Sequence, residues 1–139
     1  MKKTPAKQPN PELENQLKRA LADYQNLVKR VNEDKQEFVK YVSASVVSKF
    51  LPILDDLERA QAHLKDEGLR LTIDKFKGVL QAEGVTEIKL INTIFDPKTA
   101  ECSELVPGLK DSIIAVIIKG YTLNGQVIRP ARVKVGKGE

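Results

Sequence analysis

Residues 17–42, LKRALADYQNLVKRVNEDKQEFVKYV, decide the architecture of this chain. Leu17, Leu21, Tyr24, Val28, Val31, Phe38 and Val42 recur in alternating steps of four and three, with Lys35 the one polar residue on the row. That is the a/d seam of a coiled coil, narrower than the apolar face of a globular helix. The helical pattern extends from Pro11 to about His63, and at about 1.5 Å per residue such a helix runs to roughly 75 Å. A domain of 139 residues is far smaller across. The seam therefore has to meet a second copy or a partner, and a dimeric interaction protein is the expectation before any motif is considered.

Toward the N-terminus, residues 1–11 contain Pro5, Pro9 and Pro11 and no apolar period, which predicts a short disordered tail. Asn10 is placed to cap the helix, with Pro11 at its first position and Glu12 and Glu14 near the positive end of the dipole. Toward the C-terminus the apolar positions thicken over Val46, Val47, Phe50, Leu51, Ile53, Leu54, Leu57, Ala60 and Leu64, a face wide enough for a bundle. Pro52 lacks the amide for a helical bond and is expected to kink or restart the helix near Phe50. Gly68 interrupts the run. Leu69, Ile73, Phe76, Val79 and Leu80 then share one face of a further helix, which Gly84 ends. Two short helices per chain, doubled in a dimer, predict a four-helix bundle.

Beyond Gly84 the period becomes β-like. Strands are expected over Val85 to Ile91, Ser112 to Lys119, Tyr121 to Ile128 in two parts, and Ala131 to Val135, with Gly120 at a bulge or bend. Asn124-Gly125 between β-prone triplets predicts a tight type I′ hairpin. The fold class expected is α+β: a long coiled-coil helix and short bundle helices forming a dimer, then a small, mostly antiparallel β-domain. The expected divisions are 1–11 tail, 12–50 dimerising stalk, 51–83 bundle helices and 84–139 β-head.

Composition narrows the class of function. The chain is 41% hydrophobic and 30% charged and contains no Trp. The single Cys102 forms no intrachain disulfide and suits a reducing compartment. The N-terminal lysines are not followed by an apolar h-region, and the longest apolar run, Ile113 to Ile118, is too short to span a bilayer. A cytoplasmic protein without a membrane partner is expected. The net charge of +4 raises nucleic-acid binding, but basic and acidic residues are interleaved and no basic block exceeds two residues, the pattern of a solvated helix surface.

Catalytic chemistry is poorly served. His63 is the only histidine and lies on a helical stretch, and Cys102 has no thiolate-stabilising motif beside it. Asp55 and Asp56 are adjacent, hence about 100° apart on a helix, and share no site. Asp96 before Pro97 reads as a turn initiator. Gly68, Gly78 and Gly84 lack phosphate-loop spacing. No enzyme, cofactor or metal is expected.

Three strings carry a resemblance. The first is Ala22-Asp23-Tyr24-Gln25-Asn26-Leu27-Val28-Lys29-Arg30, and the second is Phe50-Leu51-Pro52-Ile53-Leu54-Asp55-Asp56-Leu57-Glu58-Arg59-Ala60. The third comprises Gly84-Val85, Phe95-Asp96-Pro97 and Gly120-Tyr121-Thr122-Leu123-Asn124-Gly125 leading into Ile128-Arg129-Pro130-Ala131. Together and in order, over residues 12 to 135, they resemble the GrpE family, nucleotide exchange factors of DnaK-type chaperones. The resemblance implies a homodimer whose β-head inserts against the chaperone's ATPase domain, opens its nucleotide cleft and releases ADP. It implies an apolar head patch of Phe95, Pro97, Ile117 and Val135, a basic stalk cluster at Lys29 and Arg30, and a family glycine at Gly68. Read locally, Ile117 and Val135 also fit a core, Lys29 and Arg30 a solvated face, and Gly68 a turn between helices.

Two positions depart from the family pattern. Gln126 stands after the hairpin where an arginine is frequent, which puts one charge contact to the chaperone in doubt, and Val28 replaces a basic residue while falling on the seam. The short basic tail also differs from the long acidic one of many relatives. A basic coiled coil binding nucleic acid, or a purely structural scaffold, is the alternative. Lys35, Ser45 and Lys49, at or near core positions of the seam, predict a stalk that melts before the head.

Overall fold

The computed structural model describes Gln8 and residues 10–138. The tail expected over residues 1–11 lies outside the described residues except for Gln8, Asn10 and Pro11. Two helices, α1 (Pro11–Leu64) and α2 (Glu67–Ala82), precede six strands: β1 (Val85–Glu87), β2 (Ala100–Val106), β3 (Ile113–Ile118), β4 (Tyr121–Leu123), β5 (Gln126–Arg129) and β6 (Ala131–Gly136). The fold is α+β. The chain divides into two compact units, Met1–Val42 and Ser43–Glu139. Among the described residues no helix is long and apolar enough to cross a membrane.

The first unit is the initial part of α1. Asn10 caps it as expected: its side-chain oxygen accepts from the Glu12 amide at 3.0 Å, and its carbonyl accepts from the Glu14 amide at 3.0 Å. The seven seam residues are between 40% and 68% exposed, so within one chain this row lies against no core.

The second unit begins where α1 acquires buried residues. Pro52 does not restart the helix, which runs unbroken to Leu64. The cost of a proline in a helix interior is about 3 kcal/mol, and it is met by its neighbours: Leu51 and Leu54 are fully buried in the first of two cores while Pro52 faces solvent. Gly68 is also not the break. The helix ends at Lys65, whose φ of 50° is left-handed, and Asp66 caps α2 by accepting from the Leu69 amide at 2.8 Å. Gly68 sits inside the first turn of α2, where an added Cβ would lie 3.1 Å from the capping carboxylate.

Gly84 ends α2 with φ of 89°, and an added Cβ there would come within 2.1 Å of the Asn124 side chain, so no other residue fits. Asn124 is the first hairpin residue, and its amide bonds the Gly84 carbonyl at 2.9 Å. Asn124 and Gly125 have φ of 49° and 86°, positive at both central positions as a type I′ turn requires. The helix end and the hairpin tip are thus keyed together.

The strands form two three-stranded sheets, ordered β1-β4-β5 and β2-β6-β3. β1–β4, β4–β5 and β3–β6 are antiparallel; β2, which sequence periodicity did not predict, pairs parallel to β6. The strand expected over Val85 to Ile91 shortens to Val85–Glu87. The first sheet shares a core with both helices through Leu51, Leu54, Ile73, Val85, Tyr121 and Leu123. The second sheet has its own core of Leu90, Ala100, Ile113, Ala131, Val133 and Val135. The chain crosses between the sheets at Lys119-Gly120 and again at Pro130.

Candidate partner-binding surface

The Phe95-Asp96-Pro97 turn is built by Asp96. Its side chain accepts from the Lys98 amide at 2.9 Å, and its carbonyl accepts from the Thr99 and Ala100 amides at 3.1 Å each. That geometry turns Pro97 to solvent while Phe95 packs half-buried against the second core. The Phe95 amide bonds the Asp111 carbonyl at 2.7 Å, and Ile94 bridges Ser112, so this loop lies beside the entry to β3.

Ile117 is 50% exposed on β3, and two irregularities put it there. The β3–β6 register shifts between Ile113 and Ala115 and again between Val116 and Ile118. Strict alternation from the buried Ile113 would send Ile117 inward, but the first shift makes Val116 the partner of Val133 and the residue packed on the core. Ile117 is therefore left outside.

Val135 is a correction. It is 4% exposed, opposite Ile113 on one side and Leu105 on the other, in the buried row Ala131, Val133, Val135 of the central strand. The intervening Arg132 and Lys134 face outward, and Lys134 pairs with Glu104 at 3.2 Å. Of the residues expected in the head patch, Pro97 and Ile117 are exposed, Phe95 is half-buried and Val135 lies in the core. The alternation of Arg132 and Lys134 with three apolar residues was the sequence signal for that inward face.

The remaining expected site residues are dispersed. Lys29 and Arg30 are exposed on α1 in the first unit. Gly68 lies on α2, and Gln126 is exposed at the start of β5 opposite Leu123. Sequence reasoning passed over Ile94 and Leu109, whose side chains are 76% and 78% exposed beside the Phe95 loop. They follow no period and carry no local signal. His63 is exposed, and Cys102 is an exposed free thiol on β2.

A polar cluster joins α1 to the strands. Asp55 and Asp56 diverge as expected, Asp56 toward Arg59 at 3.3 Å, but Asp55 is engaged by Arg129 through two bonds of 2.6 and 2.9 Å. One turn on, Glu58 pairs with Lys77 of α2 at 2.7 Å and with Lys119 at 2.8 Å. Burial alone would raise the Glu58 carboxyl, but hydrogen bonds from Lys119 and Lys77 outweigh it and hold the group below its usual 4.5. Burial likewise opposes the charge on Lys119, yet Glu58 and the more distant Glu87 hold its ammonium above the usual range. The Tyr121 hydroxyl is pushed well up by burial and by the same carboxylates. Tyr121 stays neutral, and its ring carries the Arg129 guanidinium 5.2 Å from its centroid.

Comparison with known proteins bears on the whole of this arrangement. Residues 2–137 match the family model described as GrpE. The chain is similar to Protein GrpE of Lactobacillus johnsonii, 31% identical over 140 residues that cover 92% of this chain and 73% of the relative. It is similar to Protein GrpE of Enterococcus faecalis at 32% identity, covering 91% and 77%. With Protein GrpE of Porphyromonas gingivalis it shares 34% identity over 86% of this chain and 68% of the relative.

Proposed function

The chain belongs to the GrpE family of co-chaperone nucleotide exchange factors, and we propose that it binds the ATPase domain of a DnaK-type chaperone, opens its cleft and accelerates release of ADP. The observation that carries this reading is the family match over nearly the whole chain, on a head that exposes Pro97 and Ile117 and leaves Phe95 half-buried. No bond is made or broken. The factor acts by binding the open ATPase more tightly than the closed one, and the difference in those affinities is the whole of the shift it can produce.

The working form is a homodimer. Seven apolar residues at a/d spacing, exposed within one chain, are supported by a second copy of the same seam. Apolar Val46, Phe50, Ile53, Leu71 and Val79 remain exposed on the helices of the second unit and suit the bundle such a dimer builds. The site of action is the cytoplasm, where the free Cys102 thiol stays reduced.

The test is release of a fluorescent ADP analogue from a DnaK-type ATPase domain. Saturable acceleration that Ile117→Asp abolishes, with the fold and dimer retained, supports exchange through the head. Ile117 is the probe because its side chain is exposed, whereas Val135→Asp would put a charge into the second core. Absence of acceleration by the unaltered protein overturns the reading and returns nucleic-acid binding or scaffolding to first place. Sedimentation that finds only monomers at micromolar concentration overturns the dimer.

A further inference from the structure

Arg129 occupies an unusual crossing point. It closes β5 immediately before Pro130, where the chain leaves the first sheet for β6 of the second. Its guanidinium donates from Nε at 3.0 Å and from one terminal nitrogen at 2.6 Å to the carbonyl of Lys119, the residue at the other crossing, between β3 and β4. The same guanidinium grips both carboxylate oxygens of Asp55 on α1 and lies over the ring of Tyr121. One side chain thus ties together the two strand crossings and the helix. The neighbouring Lys119 ammonium reaches Glu58, three residues beyond Asp55 on the same helix. Two ion pairs set side by side therefore define how the strands meet α1.

The second sheet carries Ile117 and packs Phe95 of the preceding loop against its core, and it joins the first sheet through these crossings and the loop after β1. The apolar core between α1 and the first sheet holds the parts together without direction. A bidentate guanidinium–carboxylate pair fixes an angle as well as a distance. Buried pairs of this kind add little net stability over an apolar contact, so directionality is what this one contributes.

We propose that Arg129, anchored by Asp55, is a positioning residue that holds the patch-bearing sheet in one orientation on α1, so that the head fits the open ATPase and not the closed one. The inference rests on the exchange reading above. A head free to pivot follows its partner into the closed form and loses the difference in affinity that drives opening. A lost contact residue raises the concentration needed for half-saturation. A lost brace lowers the maximal release rate instead.

The experiment compares the unaltered protein with Asp55→Asn, Asp55→Glu and Arg129→Lys. Release of a fluorescent ADP analogue gives the maximal rate and the half-saturating concentration, and binding is measured to the nucleotide-free and the ADP-bound ATPase domain. Asp55→Asn and Arg129→Lys are expected to lower the maximal rate and the preference for the nucleotide-free form by about tenfold, with half-saturation nearly unchanged and partial rescue in Asp55→Glu. Amide exchange without the ATPase reads the brace directly. The Ile88 amide bonded to the Gly120 carbonyl and the Ala131 amide bonded to the Thr99 carbonyl should exchange faster in Asp55→Asn, and the Val133 amide in the sheet should not. Unchanged exchange at the crossing overturns the brace. Faster exchange with an unchanged maximal rate, or a fall in binding to both ATPase forms alike, overturns its role in discrimination. If the unaltered protein accelerates nothing, the exchange reading fails, and amide exchange alone decides whether Arg129 positions the sheet.

Discussion

Leu17, Leu21 and Val31 in the helical arm, and Leu51, Leu54 and Ile73 in the second unit, are the same kinds of residue at helical spacing. The first three are about half exposed and the last three are buried. The arm presents an apolar row that no core of its own chain covers. The second unit buries Leu51, Leu54, Ile73 and the inward rows of its strands within itself, in two cores, while Val46, Phe50, Ile53, Leu71 and Val79 stay exposed on its helices. An apolar period therefore states that a face must be covered, not by what. With the proposed second copy covering the arm, its stability depends on concentration. In the two cores of the second unit the covering comes from the chain itself.

The sharpest way to break this contrast is a matched pair of truncations. Leu51→Ala is expected to destabilise the second unit by about 3–4 kcal/mol, because a fully buried leucine leaves a cavity as well as lost transfer energy. Leu21→Ala should leave the denaturation midpoint of that unit unchanged and instead weaken association, read by circular dichroism against protein concentration. The same melts test the polar residues on the seam: helical signal from the arm should fall at a lower temperature than the β-head unfolds, and one shared transition would contradict it.

Next in size is Asp55→Ala, which strands a guanidinium only 19% exposed. Removing one partner of a partly buried pair costs about 2–3 kcal/mol, read from urea denaturation, whereas Asp56→Ala removes an exposed pair worth less than about 1 kcal/mol. The two adjacent aspartates so separate a tertiary contact from a solvated one.

A smaller effect follows pH. Glu58 is held below its usual 4.5 in the fold, so its stabilising charge is complete above about pH 4.5 and is lost as pH falls through the lower folded value. Lys119 is held above its usual 10.5, so its contribution is complete below that pH and is lost as pH rises through the higher folded value. Both are in place at neutrality. Glu58→Gln should therefore flatten the loss of stability on acidification below pH 4.5, measured by denaturation midpoints across pH, and the arm's helix should show no matching change. The smallest effect belongs to the arm: Asn10→Ala removes a cap worth about 1 kcal/mol, expected as faster amide exchange at Glu12 to Glu14 and no change in the second unit.

Most of the secondary structure was legible in the sequence, because its signals are local. The Asn10 cap, the helix end at Gly84 and the Asn124-Gly125 hairpin each depend on a few consecutive residues, and the seam on a period within one helix. The break between α1 and α2 was misplaced by three residues, since Lys65 adopts a left-handed backbone that its type does not announce. β2 was missed: Glu101, Cys102, Ser103 and Glu104 have no strand period, and they are extended because β6 offers them a partner. Of the expected head patch, Phe95, Pro97 and Ile117 have exposed or partly exposed side chains and Val135 does not.

The sequence alone determined an unpartnered helical seam, a second helix with a defined end, a β-rich C-terminal unit with one tight hairpin, and membership of a family. Those are properties of neighbouring residues, and local free energies set them. Only the tertiary structure decided that the helix continues through Pro52, that two register shifts turn Ile117 outward while Val135 is buried, and that Arg129 meets Asp55 across 74 positions of chain. Each of these is a contest between a local preference and the packing of distant residues. Its outcome depends on which surfaces the completed fold brings together.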